Sequence, residues 1–409
     1  MKRIPAAALA TALWLFPLAA IAAEPTWIGS WASSQQIPEP ANALPPAALD
    51  DATLRQIVHL SLGGQTLRVR LSNAFGTEPL HITSTHIAKP VSPALPALWA
   101  GTDTLVTFAG APDITIPAGA DYISDPVVFD APPGSDLTVS MHFDRAPAQQ
   151  TSHPGSRSTS YLVRGDLVSA PDLPGAQAFD HWFNLSGVEI PVTRPNESVV
   201  VTLGDSITDG HGATTNGNDR WPDDLARRLM AARLTRSVLN RGIGGGRILL
   251  DGLGANALAR FDRDVLAEPG VRTLIILEGI NDIGTFDRAG TLPPASHAHL
   301  VADLTAAYAQ MVMRAHSAGI KVFGATLTPF ADSPTYNPHP LSEADRIAFN
   351  DWIRAPGHVD AVIDFDRAIR DPASPDHMMA AYDSGDHLHP SAAGYHAMAD
   401  AIPLSLFAP

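Results

Sequence analysis

Two short segments of the chain hold the residue types of a hydroxyl nucleophile and its base. Ser206 lies in the heptapeptide GDSITDG (residues 204–210), directly after the apolar run 199–203. Asp386 and His389 lie three residues apart in a loop segment rich in small residues. A serine hydroxyl becomes a strong nucleophile when an imidazole takes its proton and a carboxylate orients that imidazole. The segments therefore predict acyl transfer, with Ser206 as nucleophile, His389 as base and Asp386 as its orienting group.

Each segment also has a second interpretation. A polar turn between a strand and a helix often carries Ser or Asp as a helix cap, so the heptapeptide alone favours neither interpretation. The later segment could be a solvated turn or a metal site, with four candidate ligands: Asp383, Asp386, His387 and His389. The tight spacing suits a carboxylate–imidazole pair equally well, and no matching ligand cluster occurs elsewhere in the sequence. We therefore expect no metal.

Acyl transfer also needs hydrogen-bond donors where negative charge develops on the substrate oxygen. The glycine-rich segment 240–246 follows a short predicted strand and can expose backbone N–H groups. The segment 278–282 follows the apolar strand 273–277 and contains the Asn281 amide. Because both segments come after strands, we expect them at the same edge of a parallel sheet as Ser206.

In combination, these segments resemble the SGNH/GDSL hydrolases, whose name records Ser, Gly, Asn and His in four sequence blocks. Ser206 matches the block I serine in GDS, although Ile follows it here instead of Leu. Gly245 matches the block II glycine, and Asn281 matches the block III asparagine in GxND. Asp386 and His389 match the block V motif DxxHP. The four blocks occur in the expected order.

The resemblance covers about residues 197–405 and implies a flavodoxin-like, doubly wound parallel sheet. It implies an oxyanion hole made by the N–H groups of Ser206 and Gly245 and the side chain of Asn281. The three adjacent glycines also allow a register shifted by one residue. Further similarity in residues 220–222, 242–249 and 277–284 indicates the branch that includes acetyl xylan esterases. The implied mechanism requires no cofactor.

Three further side chains are candidate substrate-binding residues. Arg220 and Trp221 could line the site, although a packed Trp at the start of a helix is at least as common. His153 lies in the polar segment 153–157, which could lean over the cleft or form an ordinary surface loop.

The elements that must position these residues change in type along the chain. Residues 23–195 show short alternating runs broken by turn residues, such as 56–62 and 66–72, and predict a β-sandwich-like domain. Residues 196–409 alternate apolar strands with helical patterns and predict an α/β catalytic domain.

Residues 1–22 predict a cleavable export signal, because a basic start, an apolar run and small residues in an A-x-A arrangement follow one another. An uncleaved membrane anchor is the alternative, which two prolines and the cleavage pattern disfavour. We therefore expect a periplasmic or extracellular protein with no stable membrane insertion after cleavage.

The composition excludes several classes of function. The formal net charge of −15 repels phosphate backbones, so a nucleic-acid partner is not expected. The chain contains no cysteine, which excludes disulfides, thiol chemistry and cysteine-ligated zinc.

The sequence therefore predicts an exported serine esterase that acts on small acyl esters, with an acetylated polysaccharide as the expected substrate. One alternative is a short-chain carboxylesterase or a lipase-type acylhydrolase, although no amphipathic lid helix is evident in the sequence. Another is a non-catalytic carbohydrate-binding protein, which would be expected to lack one of the catalytic residues. Here all of them are present.

Overall fold

The computed structural model describes residues 25–408 of the 409-residue chain. The predicted export signal, residues 1–22, lies outside the described residues, so it stays a prediction. Within residues 25–408, no helix combines the length and the apolar character needed to cross a bilayer.

The strands are β1 Trp27–Ala32, β2 Ala52–His59, β3 Gly64–Ser72, β4 Leu80–Ile82, β5 Ser84–Ala88, β6 Thr104–Val106, β7 Ile114–Ile116, β8 Asp121–Ile123, β9 Val127–Ala131, β10 Asp136–Phe143, β11 Ser152–His153, β12 Ser160–Arg164, β13 Gln177–Phe179, β14 Trp182–Phe183, β15 Leu185–Pro191, β16 Ser198–Gly204, β17 Arg236–Gly242, β18 Val271–Leu277, β19 Lys321–Ala325 and β20 Ala361–Ile363. The α-helices are α1 Ser206–Asp209, α2 Trp221–Ala231, α3 Ala257–Phe261, α4 Ile280–Phe286, α5 Pro294–Ser317, α6 Pro340–Arg354, α7 Phe365–Ile369 and α8 Ala392–Asp400. A π-helical turn, Asp262–Leu266, follows α3, and a 3₁₀ turn, Leu404–Phe407, follows α8.

The second half of the chain forms a parallel sheet. Its strands lie in the order β17-β16-β18-β19-β20, and every neighbouring pair is parallel. Counted along the chain, this order is 2-1-3-4-5, the flavodoxin-like arrangement. The interior strand β16 is buried along its whole length, as its continuous apolar run indicates. The predicted α/β fold with a parallel sheet is confirmed.

The first half is built from antiparallel strands, as the alternating sequence pattern predicts. Its two larger sheets have the orders β1-β15-β3-β8, with β9 beside β3, and β13-β12-β2-β10-β5-β6. The predicted runs 56–62 and 66–72 correspond to β2 and β3, which begin two to four residues earlier. The sandwich-like packing of these sheets and the domain boundaries remain predictions.

Strand β2 departs from simple alternation because both of its faces are buried. Arg55 is fully buried, and its guanidinium donates hydrogen bonds to the carbonyl oxygens of Pro96, Val168 and Ala170. Burial lowers the pKa of Arg55 to about 10, so the group remains charged at neutral pH. Loops that come from distant parts of the sequence therefore cover the face that an alternating pattern would leave in water.

Buried charges join the two halves of the chain. Glu268, just after the π-helical turn, accepts hydrogen bonds from Arg70 at 2.8 Å and from Arg241. Ser34 Oγ donates to Asp264 Oδ2 at 2.8 Å. A buried ion is tolerated only when its partners replace the lost water, so these contacts hold the halves in one arrangement.

Candidate active site

The turn after β16 places Ser206 at the carboxyl edge of the parallel sheet. Asp205 caps α1, because its side chain accepts from the N–H of Ile207 at 2.9 Å. A Cβ atom at Gly204 would lie 2.5 Å from the carbonyl oxygen of Leu277, so only glycine fits there. Gly210, with φ of 104°, ends the helix in a conformation that favours glycine. The sequence GDSITDG thus forms a sharp strand-to-helix turn.

Ser206, His389 and Asp386 form a hydrogen-bonded series. Ser206 Oγ lies 2.8 Å from His389 Nε2, and His389 Nδ1 lies 2.6 Å from Asp386 Oδ2. Because Nδ1 faces a carboxylate, it carries the ring proton, which leaves the Nε2 lone pair free to accept the serine proton. The arrangement can perform nucleophilic attack with general-base assistance.

Asp386 is held as an anion by its own loop. Its Oδ1 accepts from the N–H groups of Leu388 at 3.0 Å and His389 at 2.8 Å. Burial acts to raise the pKa of Asp386, but the hydrogen bonds from the His389 side chain and these backbone groups outweigh it. The pKa of the carboxyl is therefore well below its usual range, and the group is charged at neutral pH.

The glycine-rich segment after β17 exposes one backbone donor. Gly244 N–H donates to Asp209 Oδ2 at 3.2 Å, and Gly246 N–H donates to the carbonyl oxygen of Ile243 at 2.9 Å. Within residues 25–408, Gly245 N–H has no acceptor, and its φ of 68° needs a glycine. Of the three adjacent glycines, Gly245 is thus the one with a donor available to a substrate.

Asn281, at the start of α4, presents the third candidate donor. Its Nδ2 donates to the carbonyl oxygen of Gly246 at 2.7 Å, and its Oδ1 accepts from the hydroxyl of Tyr336. These partners assign the amide orientation and leave one N–H of Nδ2 for a further acceptor. In the part of the chain that the structure describes, the N–H of Ser206 also lacks an acceptor.

Two further side chains support this edge of the site: Tyr336, which sequence reasoning missed, and Asp282. Burial raises the pKa of Tyr336 to about 12, so its hydroxyl stays protonated and can donate to Asn281. Asp282 accepts from the N–H groups of Ile248 at 2.8 Å and Leu249 at 3.0 Å, which ties the Asn281 helix to the glycine-rich loop. Tyr336 has no local sequence signal, since it lies 55 residues from Asn281.

His211 was also missed, although it directly follows the heptapeptide. Its ring centroid lies 4.1 Å from that of His389, and its Nε2 lies 3.8 Å from Asp386 Oδ2. Burial, followed by the charges of His389 and Arg157, lowers the pKa of His211 to about 4. His211 is therefore neutral at neutral pH and does not form an ion pair with Asp386. The Asp386 carboxylate pairs with His389 instead.

Two groups of described side chains have ligand atoms close enough to hold a metal ion: His211, Asp386 and His389, and Asp287, His297 and His339. In the first group, both His389 nitrogens already face Ser206 and Asp386. In the second, His339 Nδ1 accepts from the N–H of Leu341 at 3.1 Å, so its Nε2 carries the ring proton and donates to Asp287. His297 Nδ1 lies 2.5 Å from Asp345 Oδ2, whereas His297 Nε2, 3.3 Å from Asp287 Oδ2, has no hydrogen-bond partner among the described residues. Asp383 and His387 bond to each other at 2.7 Å.

The three candidate substrate-binding side chains are buried. Trp221 has no exposed surface and packs against the ring of Phe365, with centroids 5.3 Å apart. Arg220 forms an ion pair with Asp223 at 2.6 Å, and His153 is 3% exposed. Substrate contact by these three residues stays a prediction. Their observed contacts are with the protein itself.

Comparison with known proteins assigns the second half to a family. The model of the GDSL-like lipase/acylhydrolase family matches residues 202–397, which include Ser206, Gly245, Asn281, Asp386 and His389. No curated protein matches the chain significantly.

Several solved structures are similar to about half of the chain. A putative lipolytic protein of the G-D-S-L family from Desulfitobacterium hafniense is 22% identical, covering 50% of this chain and 97% of that one, with a TM-score of 0.37. An acetyl xylan esterase is 19% identical over 50% of this chain and 96% of its own, with a TM-score of 0.37. An M. smegmatis aryl esterase is 16% identical over 50% and 95%, with a TM-score of 0.38. Because these TM-scores are below 0.5, the similarities do not indicate the substrate of this chain.

The family match coincides with the parallel sheet and with the edge at which the candidate residues meet. Residues 202–397 thus belong to the GDSL-like lipase/acylhydrolase family, and the chain is a carboxylic ester hydrolase.

Proposed function

We propose that the chain is an exported serine esterase in which Ser206 is the nucleophile, His389 the base and Asp386 its orienting group. The observation that carries this proposal is the unbroken series from Ser206 Oγ to His389 Nε2 at 2.8 Å and from His389 Nδ1 to Asp386 Oδ2 at 2.6 Å. Removing any member would interrupt proton transfer to or from the serine oxygen.

In the first half-reaction, His389 Nε2 takes the Ser206 proton as Oγ bonds to the ester carbonyl carbon. The carbonyl oxygen becomes an oxyanion and accepts hydrogen bonds from Ser206 N–H, Gly245 N–H and the free N–H of Asn281. When the intermediate collapses, the bond to the alcohol oxygen breaks. His389 gives its proton to that oxygen, and the alcohol departs.

In the second half-reaction, His389 takes a proton from water while the water oxygen attacks the acyl-enzyme carbonyl. The second oxyanion uses the same donors. Its collapse breaks the bond to Ser206 Oγ, which regains the proton from His389, and the acid leaves.

For the substrate, we propose a small acyl ester, with acetyl groups on a polysaccharide as the expected case. The support is the export pattern of residues 1–22, the sequence similarity in residues 220–222, 242–249 and 277–284, and the complete set of candidate reactive residues. Export to the periplasm or the cell exterior would bring the enzyme to polymers that do not enter the cytoplasm. The β-rich region 23–195 is proposed to be a sandwich-like domain beside the catalytic region 196–409.

One feature favours the alternative of a carboxylesterase or lipase-type acylhydrolase. An open cavity of about 680 Å³ is lined by apolar side chains that include Leu249, Leu250, Phe286 and Leu300. It is also lined by Asp282, the direct neighbour of Asn281, so it begins close to a candidate oxyanion donor. A cavity of this size and lining could hold an acyl chain longer than acetyl.

Acyl-chain preference separates these two proposals. If the substrate is an acetyl ester, the octanoyl chain has no binding site beside Ser206, and we expect kcat/KM for 4-nitrophenyl acetate to exceed that for the octanoate by about tenfold or more. Acetate should also be released from acetylated xylan. Faster hydrolysis of the octanoate, without release of acetate from any acetylated polysaccharide tested, would instead establish the acylhydrolase alternative. The Ser206→Ala variant serves as the blank in each assay.

Replacement of Asn281 by alanine tests the oxyanion assignment. The free N–H acts mainly in the transition state, so kcat should fall by about 10²- to 10³-fold while KM changes little. Steady-state kinetics on 4-nitrophenyl acetate measure both constants. The matched control is Asn350→Ala, because Asn350 is also a buried asparagine whose amide bonds to backbone, here that of Leu327. If the Asn281 variant kept a near-parental kcat, the oxyanion role would be lost.

A further inference from the structure

Asp209, the last residue of α1, connects the nucleophile to the glycine-rich loop. It lies three residues after Ser206 and is 4% exposed. Its Oδ2 accepts from the N–H of Gly244, the residue directly before Gly245. A Cβ atom at Gly242 would lie 2.3 Å from the backbone nitrogen of Asp209, so the loop and the helix touch. The position of Asp209 therefore sets where Gly245 N–H lies relative to Ser206.

The other oxygen of Asp209 is held from the first half of the chain. His153, in β11, places its Nε2 2.9 Å from Asp209 Oδ1 and its Nδ1 2.8 Å from the carbonyl oxygen of Ser34. The ring stacks on Trp182 at a centroid distance of 5.6 Å, and Trp182 meets Trp31 edge-on at 4.8 Å. The imidazole thus has both nitrogens and one face engaged.

The backbone beside His153 is also shaped around Asp209. A Cβ atom at Gly155 would lie 1.8 Å from Asp209 Oδ2, a distance that no side chain could tolerate. The segment that carries His153 therefore lies directly against the carboxylate. His153 and Asp209 are 56 residues apart in sequence.

The two acceptors of His153 determine how many protons the pair holds. The Ser34 carbonyl can only accept, so His153 Nδ1 carries a hydrogen. A hydrogen bond between Nε2 and the Asp209 carboxyl needs a second hydrogen, on the ring or on the carboxyl. That hydrogen joins His153 Nε2 to Asp209 Oδ1.

We propose that His153 is a positioning residue for ester hydrolysis. It acts through Asp209 to fix the position of the Gly244–Gly245 backbone relative to the helix that begins at Ser206. The first half of the chain is then a working part of the active site. It is not only a tether or an independent binding module. The inference rests on the proposed function, because it assigns Gly245 N–H to the oxyanion.

The test compares His153→Ala, His153→Gln and Asp209→Asn with the parent enzyme on 4-nitrophenyl acetate. Rates are divided by the number of sites that react with a serine-directed organophosphate, so misfolded protein does not count. We expect kcat to fall by about 10- to 100-fold in His153→Ala, less than for complete loss of an oxyanion donor, with KM within about twofold. His153→Gln should recover part of this loss, because its amide can still donate to Asp209.

A double variant adds a readout that general destabilisation would not reproduce. If His153 acts through Asp209, then His153→Ala combined with Asp209→Asn should be no slower than the slower single variant. Multiplying losses, or a kcat within about twofold of parental in all three single variants, would overturn the proposal.

The matched control is His86→Ala. Like His153, His86 belongs to the first half of the chain and bonds to a carboxylate, with its Nδ1 2.9 Å from Asp103 Oδ2. It lies in β5 and has no contact with Asp209. It should leave kcat near parental. If the parent is active and Ser206→Ala is not, unchanged His153 variants refute only this inference. An active Ser206→Ala variant would refute the proposed function itself.

Discussion

Replacing Ser206 with alanine is expected to lower kcat by about 10⁴- to 10⁶-fold on any ester that the enzyme accepts. Without the hydroxyl no acyl-enzyme can form, and only the oxyanion donors and substrate binding remain to accelerate attack by water. Ser206 Oγ has His389 as its partner, so the fold loses one hydrogen bond, or about 1 kcal/mol at most. The variant should therefore lose nearly all of its activity while its thermal midpoint stays close to that of the parent.

The measurement is steady-state hydrolysis of 4-nitrophenyl acetate, together with thermal unfolding followed by circular dichroism. Ser30→Ala is the matched control, since Ser30 is a buried serine whose Oγ bonds to the carbonyl oxygen of Leu62. It should retain parental kcat. Mass spectrometry should find an organophosphate adduct on Ser206 in the parent and in the control. More than a few per cent of parental activity in Ser206→Ala would remove this residue as nucleophile.

Replacing Asp386 with asparagine is expected to lower kcat by about 10³- to 10⁴-fold, because the amide selects the wrong tautomer of His389. Asp386 Oδ1 already accepts from the N–H groups of Leu388 and His389. The single oxygen of an asparagine would stay on those two donors, which directs its NH₂ group at His389 Nδ1. The ring proton would then move to Nε2, where it faces Ser206 and blocks proton transfer.

The same loop contains a closely matched control. Asp383 Oδ1 accepts from the N–H groups of Gly385 and His387, and its Oδ2 lies 2.7 Å from His387 Nδ1. Asp383→Asn therefore repeats the chemical change in the same hydrogen-bonding pattern, but on a histidine that does not face Ser206. Its kcat should stay within a few-fold of parental. Equal losses in the two variants would mean that the loop, and not the His389 tautomer, sets the rate.

The amino-acid sequence predicted the parts of the site that depend on short spacing or on strand order. Asp386 and His389 meet because three residues of one loop separate them. The apolar runs after residue 197 predicted parallel strands, and the carboxyl ends of such strands share one edge, so Ser206, Gly245 and Asn281 could be assigned to that edge together. The antiparallel strands of the first half were also predicted, because alternation is a local property.

Burial and contacts with distant residues are not visible in the sequence. Trp221 and Arg220 lie near the nucleophile in sequence, yet α2 packs Trp221 against Phe365 and pairs Arg220 with Asp223. Amphipathic side chains at a helix start give no local sign of which surface will cover them. The same holds for β2, where Arg55 is buried by loops from elsewhere in the chain.

The sequence by itself thus predicted the reaction type and the candidate reactive residues, since these follow from residue chemistry, local spacing and the order of the strands. The tertiary structure decided which donors are available and what holds them in place. Gly245 differs from its neighbouring glycines only because Asp209 and Ile243 already accept from their N–H groups. His153 meets Asp209 across 56 residues of chain. Such contacts result from the docking of one half on the other, and spacing along the sequence does not encode them.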